Sequence, residues 1–111
     1  MLPESHSAIV ARNEPWSGSV ATEPYEVGWA HEAIIFVRAL AVSGAGAAEA
    51  RVQISPDGMH WADEGTRFAL PSNTAEVTYA RVRHFGLWLR IAADLPDGLA
   101  LKVLVSIALK A

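Results

Sequence analysis

The four histidines are the first place to look for metal or acid–base chemistry in this chain, and their spacing argues against both. His6, His31, His60 and His84 fall on different predicted elements, with no His-x-His or His-x-x-x-His pair. Zinc needs three or four closely placed ligands. Asp57, Asp63 and Glu64 are near enough in sequence to converge beside a turn, and such hard oxygens suit calcium. Calcium takes six or more oxygens, however, and Asp57 already has a structural task in that turn. Ser55, Ser72 and Ser106 have no nucleophile-elbow glycines around them, and nothing puts a base and an orienting acid beside a hydroxyl. No two carboxylates stand at a spacing that marks a hydrolase cleft. Ser43-Gly44-Ala45-Gly46 lacks the Lys and the following helix of a phosphate-binding loop. The expectation is a protein that is not an enzyme and holds neither cofactor nor metal.

One constellation has the chemistry of a contact surface: Tyr79, Arg81, Arg83, Trp88 and Arg90. Trp and Arg are the types most enriched at interaction hot spots, and Arg can stack on Trp while its other donors meet a carboxylate. Val77 to His84 and Leu87 to Asp94 flank Phe85-Gly86, a spacing that predicts a tight hairpin. That register sets Val82 opposite Leu89 and Ala80 opposite Ile91 on one face. Arg83 then opposes Trp88, and Arg81 opposes Arg90, on the other. Phe is a poor first residue for such a turn, and a slip of one residue would exchange the faces. The alternative is a solvated edge hairpin whose Arg stems cover Trp88. Single-stranded nucleic acid also suits Arg with aromatics, but the chain's acidic balance counts against it.

The elements that must position these residues read as strands and turns. Ala33 to Val42 is a β-branched and aromatic run stopped by Gly44 and Gly46, predicting a strand buried on both faces. Glu49 to Ser55 alternates, with Val52 and Ile54 on one side and Arg51 and Gln53 on the other. Pro56-Asp57-Gly58 supplies a turn. Met59 to Ala62 begins a return strand, Thr66 to Leu70 forms another short one, and Trp61 is expected inside the sandwich or along its rim. In the last strand Leu99, Leu101, Val103, Val105, Ile107 and Leu109 make one apolar row, with Leu104 the exception on the opposite side. Ser7 to Arg12 could be a strand, and Ser17 to Trp29 one or two irregular ones. About eight or nine short strands punctuated by turns predict an all-β antiparallel sandwich of the jelly-roll or immunoglobulin-like kind. Residues 1–15 read as an N-terminal arm or first strand, and 16–111 as the sandwich domain.

Composition sets the outer bounds. At 111 residues, 51% hydrophobic and 19% charged, the chain is the size and kind of one globular domain. It has no cysteine, so neither disulfides nor thiolate metal sites contribute. A formal charge of −3 gives no reason to seek polyanions. Met1-Leu2-Pro3-Glu4-Ser5-His6 lacks the basic and apolar regions of a signal peptide, and no run approaches the roughly 20 apolar residues of a membrane span. The reading is cytoplasmic synthesis and no membrane. Seven of the nine basic residues are Arg, the cation that interfaces favour.

From Trp16 onward the order of signals resembles small β-sandwich accessory and structural proteins of phage and prophage-like particles. The likeness rests on Ala41-Val42-Ser43-Gly44, on Val52-Gln53-Ile54-Ser55-Pro56-Asp57-Gly58-Met59-His60-Trp61, on Gly86-Leu87-Trp88-Leu89-Arg90-Ile91, and on Leu104 to Leu109. It implies a virion or particle component that self-associates as a homo-oligomer or decorates a larger assembly, without catalytic residues. The Ser-Pro-Asp-Gly-x-x-Trp turn is also similar to turns in discoidin-like carbohydrate-binding sandwiches, which keeps a carbohydrate-binding module as the alternative.

Overall fold

Alternation of buried and outward residues organises nearly every strand of the structure, a computed structural model that describes residues 5–111. Met1 to Glu4, the start of the segment read above as an N-terminal arm or first strand, lie outside the described residues. The strands are β1 (Ser5–Trp16), β2 (Ser19–Ala21), β3 (Tyr25–Glu26), β4 (Glu32–Ser43), β5 (Glu49–Ser55), β6 (Ala62–Ala69), β7 (Val77–Arg83), β8 (Trp88–Asp94) and β9 (Ala100–Lys110). They form two antiparallel sheets, the first in the order β1-β9-β4-β7 and the second β2-β8-β5-β6, with β3 also on β8. Among the described residues there is no helix, and so none long and apolar enough to cross a membrane.

The topology is a jelly roll. If β2 and β3, which both pair with β8, are counted as one interrupted strand, the two sheets carry the interleaved order of two Greek keys. The chain therefore changes sheet at most of its turns, and the β5–β6 connection is a hairpin within one sheet.

The core lies between the sheets. Leu101, Val103, Val105, Ile107 and Leu109 of β9 are buried, the apolar row expected, and Leu104 points outward. They meet Val52 of β5 with Leu89, Ile91 and Ala93 of β8, all buried. β4 is buried on one face only. Ala33, Ile35, Val37 and Ala39 enter the core, whereas Ile34 and Phe36 are only partly buried, because a two-layer fold has nothing to cover the outer side. The runs at Met59–Ala62 and Thr66–Leu70 are also not two strands: β6 is continuous from Ala62 to Ala69, with its register against β5 shifted between Arg51 and Gln53. A bulge at Gly65, where φ is +115°, interrupts the apolar pattern without ending the strand.

Thr78, on β7, carries a buried hydroxyl with no hydrogen-bond partner among the described residues. An unsatisfied buried hydroxyl costs free energy that an isosteric methyl does not. Thr78→Val should therefore raise stability by about 1 kcal/mol in urea denaturation, and a loss of stability would contradict this placement.

Candidate interaction surface

The predicted β7–β8 hairpin does not exist. β7 pairs with β4 in the first sheet, Arg81 opposite Ile34 and Ala80 opposite Ile35. β8 pairs with β5 in the second, Arg90 opposite Gln53 and Trp88 opposite Ser55. The turn between them passes from one sheet to the other across the end of the sandwich, and Phe85 drops from its apex into the core, 2% exposed. The five residues Tyr79, Arg81, Arg83, Trp88 and Arg90 thus do not share a face. Tyr79, Arg81 and Arg83 lie on the outside of the first sheet. Trp88 and Arg90 lie on the outside of the second.

On the second sheet the polar and aromatic groups satisfy one another. The Arg90 guanidinium sits 4.2 Å from the centre of the Trp61 ring, and its Nε donates to Gln53 Oε1 at 2.8 Å. Gln53 Nε2 donates to Asp63 Oδ1 at 3.0 Å. Arg51 bonds Asp94 Oδ2 at 3.0 Å and lies 3.6 Å from Asp63. Burial lowers the Arg90 pKa from its ordinary value, and the nearby Arg51 charge adds to this. The Asp94 carboxyl is held below its usual range by the Ser19 hydroxyl and then by Arg51.

The Pro56-Asp57-Gly58 turn is a hydrogen-bonded knot over this face. Ser55 Oγ accepts from the Gly58 amide at 2.8 Å. Asp57 Oδ1 accepts from the amides of Met59 and His60, both at 2.8 Å. Those two amides, with the His60 side chain, hold the Asp57 carboxyl well below the ordinary carboxylate range. Gly58 lies against the Trp88 ring, where a Cβ would come within 3.3 Å. Asp57, Asp63 and Glu64 do not converge: Asp63 is engaged by Arg51 and Gln53, and Glu64 by Thr66. No cluster of three metal-ligating side chains occurs among the described residues.

Of the two places expected for Trp61, the interior is not the one it takes. It is partly buried and absent from the core, where the buried indole is Trp16 at 1% exposure. Trp61→Ala should then cost about 1 kcal/mol, the scale of an exposed cation–π contact, rather than the 3–5 kcal/mol or so of an emptied aromatic site. Chemical denaturation separates the two.

The first sheet is the opposite case. Successive cross-strand partners put Ile9, Ser106, Phe36 and Tyr79 in one row across all four strands. Ser7, Ala108, Ile34 and Arg81 make the next. The first row ends on exposed apolar groups, Tyr79 at 51% and Ile9 at 46%, and Val77, opposite Arg38 two residues along β7, is also 51% exposed. The four strands also carry Arg12, Arg38, Arg81, Arg83, Lys102 and Lys110 against two acids, Glu14 and Glu32. Arg83 Nε lies 3.5 Å from Glu32, and Arg81 lies over the Tyr79 ring at 5.5 Å. Arg38, Arg81, Lys102 and Lys110 make no ion pair among the described residues. A groove of about 200 Å³ opens beside Arg81, Arg83, Glu32 and Lys110. Ile9 and Phe36 belong to this surface and were not singled out from sequence. Their signal was the outward half of each strand's alternation, which becomes a continuous row only once strand order is known.

A jelly-roll sandwich with one self-satisfied face and one apolar, basic face is the class of protein the geometry defines. No known protein family matches the chain, and no curated protein sequence matches it significantly. Among solved structures it is similar to the crystal structure of the SPBc2 prophage-derived protein YomS. The TM-score is 0.60 at 15% identity, over 100% of this chain and 96% of that one. The likeness is one of fold.

Proposed function

We propose that this chain is a non-enzymatic structural protein that self-associates, as a component of a virion or phage-derived particle. The observation that carries the reading is the outer face of the first sheet, where exposed Val77 and Tyr79 stand beside cations without ionic partners among the described residues. Scattered exposed apolar residues are ordinary on monomers, but apolar groups gathered on one sheet face among charged ones are the mark of a contact surface. The prophage origin of YomS and the particle-protein signals in the sequence support the setting. The alternative, a carbohydrate-binding module, would rely on the second sheet's indoles. There Arg90 occupies one face of Trp61 and the Gly58 turn lies on Trp88, so the chain itself takes up ring surface that a stacked sugar would use.

Two double variants compared by sedimentation velocity test the reading. Tyr79→Ala with Arg81→Ala should weaken self-association at least tenfold. Trp61→Ala with Arg90→Ala should leave it unchanged while both proteins keep a β circular dichroism spectrum. Equal effects of the two pairs would count against the first sheet as the contact surface.

A further inference from the structure

The sandwich exposes several strand edges, and they are not equally protected. An unpaired edge is a template for another strand, which proteins usually blunt with bulges, proline, charge or brevity. β1 is interrupted twice against β9, has Asn13 at a φ of 51° and includes Pro15. β6 has the Gly65 bulge, and β2 and β3 are three and two residues long. β7 has no bulge, no proline and no shortening, and its one such device is the charge of Arg81 and Arg83. Its seven residues, Val-Thr-Tyr-Ala-Arg-Val-Arg, pair with β4 in unbroken register and with no other strand among the described residues.

The backbone direction of β7 can be worked out. The His84 amide donates to His31 O at 3.2 Å, in register with the β4–β7 ladder. An antiparallel ladder bonds through alternate residues, so Val82, Ala80 and Thr78 bond toward β4. The amides and carbonyls of Val77, Tyr79, Arg81 and Arg83 then face the free edge.

We propose that two copies of this chain pair through β7, antiparallel about a two-fold axis at Ala80, joining two first sheets into one eight-stranded sheet. This rests on the self-association proposed above and names its geometry. The register centred on Ala80 engages all seven residues, and its hydrogen-bonded pairs are the ones whose backbone groups face outward. It sets Tyr79 opposite Arg81 of the second copy and Val77 opposite its Arg83. Each guanidinium meets an aromatic or aliphatic side chain, and no two cations stand directly opposed. A shift of the axis to Arg81 would set the two Arg81 side chains against each other. Pairing also covers Val77 and Tyr79, both half-exposed, and extends the Arg81–Tyr79 contact already present within one chain across the two-fold.

The chain has no cysteine, so introduced thiols report the register without background. Tyr79→Cys and Arg81→Cys, prepared separately and oxidised together, should give a disulfide-linked heterodimer. Hydrogen-bonded cross-strand partners lie about 5.5 Å apart at Cα, within disulfide reach. Either variant alone should cross-link several-fold less, since its thiols sit on the diagonal, roughly 7–8 Å apart. Val77→Cys with Arg83→Cys is the second pair, for use if either of the first fails to fold. Equal yields alone and mixed, or no cross-link by either pair in a wild-type protein that sediments as an oligomer, would overturn β7 pairing and leave self-association standing. A wild type that is monomeric at every concentration would remove both.

Discussion

Phe85→Ala is expected to lose about 3–5 kcal/mol of stability, the cost of emptying a buried aromatic site. The residue has 2% of its surface exposed and packs in the main core, although it stands beside Gly86 in what reads as a tight turn. The expectation separates two architectures. At the apex of an in-sheet hairpin, Phe85 would be a surface residue, and its truncation would fall within roughly 0.5 kcal/mol of neutral. In the crossing from β7 to β8 it closes the end of the sandwich between the sheets. Urea denaturation at unchanged m-value measures the loss. A shift inside the surface range would mean that β7 and β8 share a sheet after all.

Gly44→Ala is expected to be comparably damaging for a different reason. Gly44 has a φ of +85°, and a Cβ built there would lie 1.7 Å from the carbonyl oxygen of Gly98. The β4–β5 and β8–β9 turns therefore touch backbone to backbone, and neither side can yield by moving a flexible side chain. Adding the strain of a left-handed non-glycine residue to the overpacking of that contact gives a cost of roughly 2–5 kcal/mol. Gly98→Ala is the matched control, because it has a similar φ of +84° with nothing within 4 Å. It should lose about 1–2 kcal/mol from conformation alone. Thermal or urea unfolding of the pair isolates the contact, and equal losses would show that the two turns are not apposed.

What was legible in the residues was periodicity, and what was not was which sheet each strand joins. β9 could be read almost residue by residue, since Leu101 to Leu109 alternate with polar or small partners and one face of a sandwich must be apolar. Pro56-Asp57-Gly58 and Pro96-Asp97-Gly98 carry the same turn chemistry. The first joins β5 to β6 within a sheet, whereas the second carries the chain from β8 to β9 in the other sheet. A turn residue specifies local φ and ψ, and it holds no information about whether the next strand pairs with the last or faces it across the core. The same gap explains the divided contact group. Tyr79, Arg81 and Arg83 alternate correctly with buried Ala80 and Val82, and Trp88 and Arg90 alternate with Leu89 and Ile91, but the outward faces belong to different sheets. It also explains the tryptophans. Trp16 follows Pro15 in an irregular stretch, yet it ends β1 opposite Leu101 and enters the core. Trp61 follows an ideal turn, yet stays outside under Arg90.

The most direct test of a self-associating structural role is the mass of the wild-type chain in solution, measured by light scattering across a dilution series at moderate salt. β7 pairing predicts a concentration-dependent species approaching twice the 11.9 kDa of the chain, with the Tyr79→Ala/Arg81→Ala variant remaining at the mass of one. A wild type that holds the mass of a single chain at every concentration would contradict it.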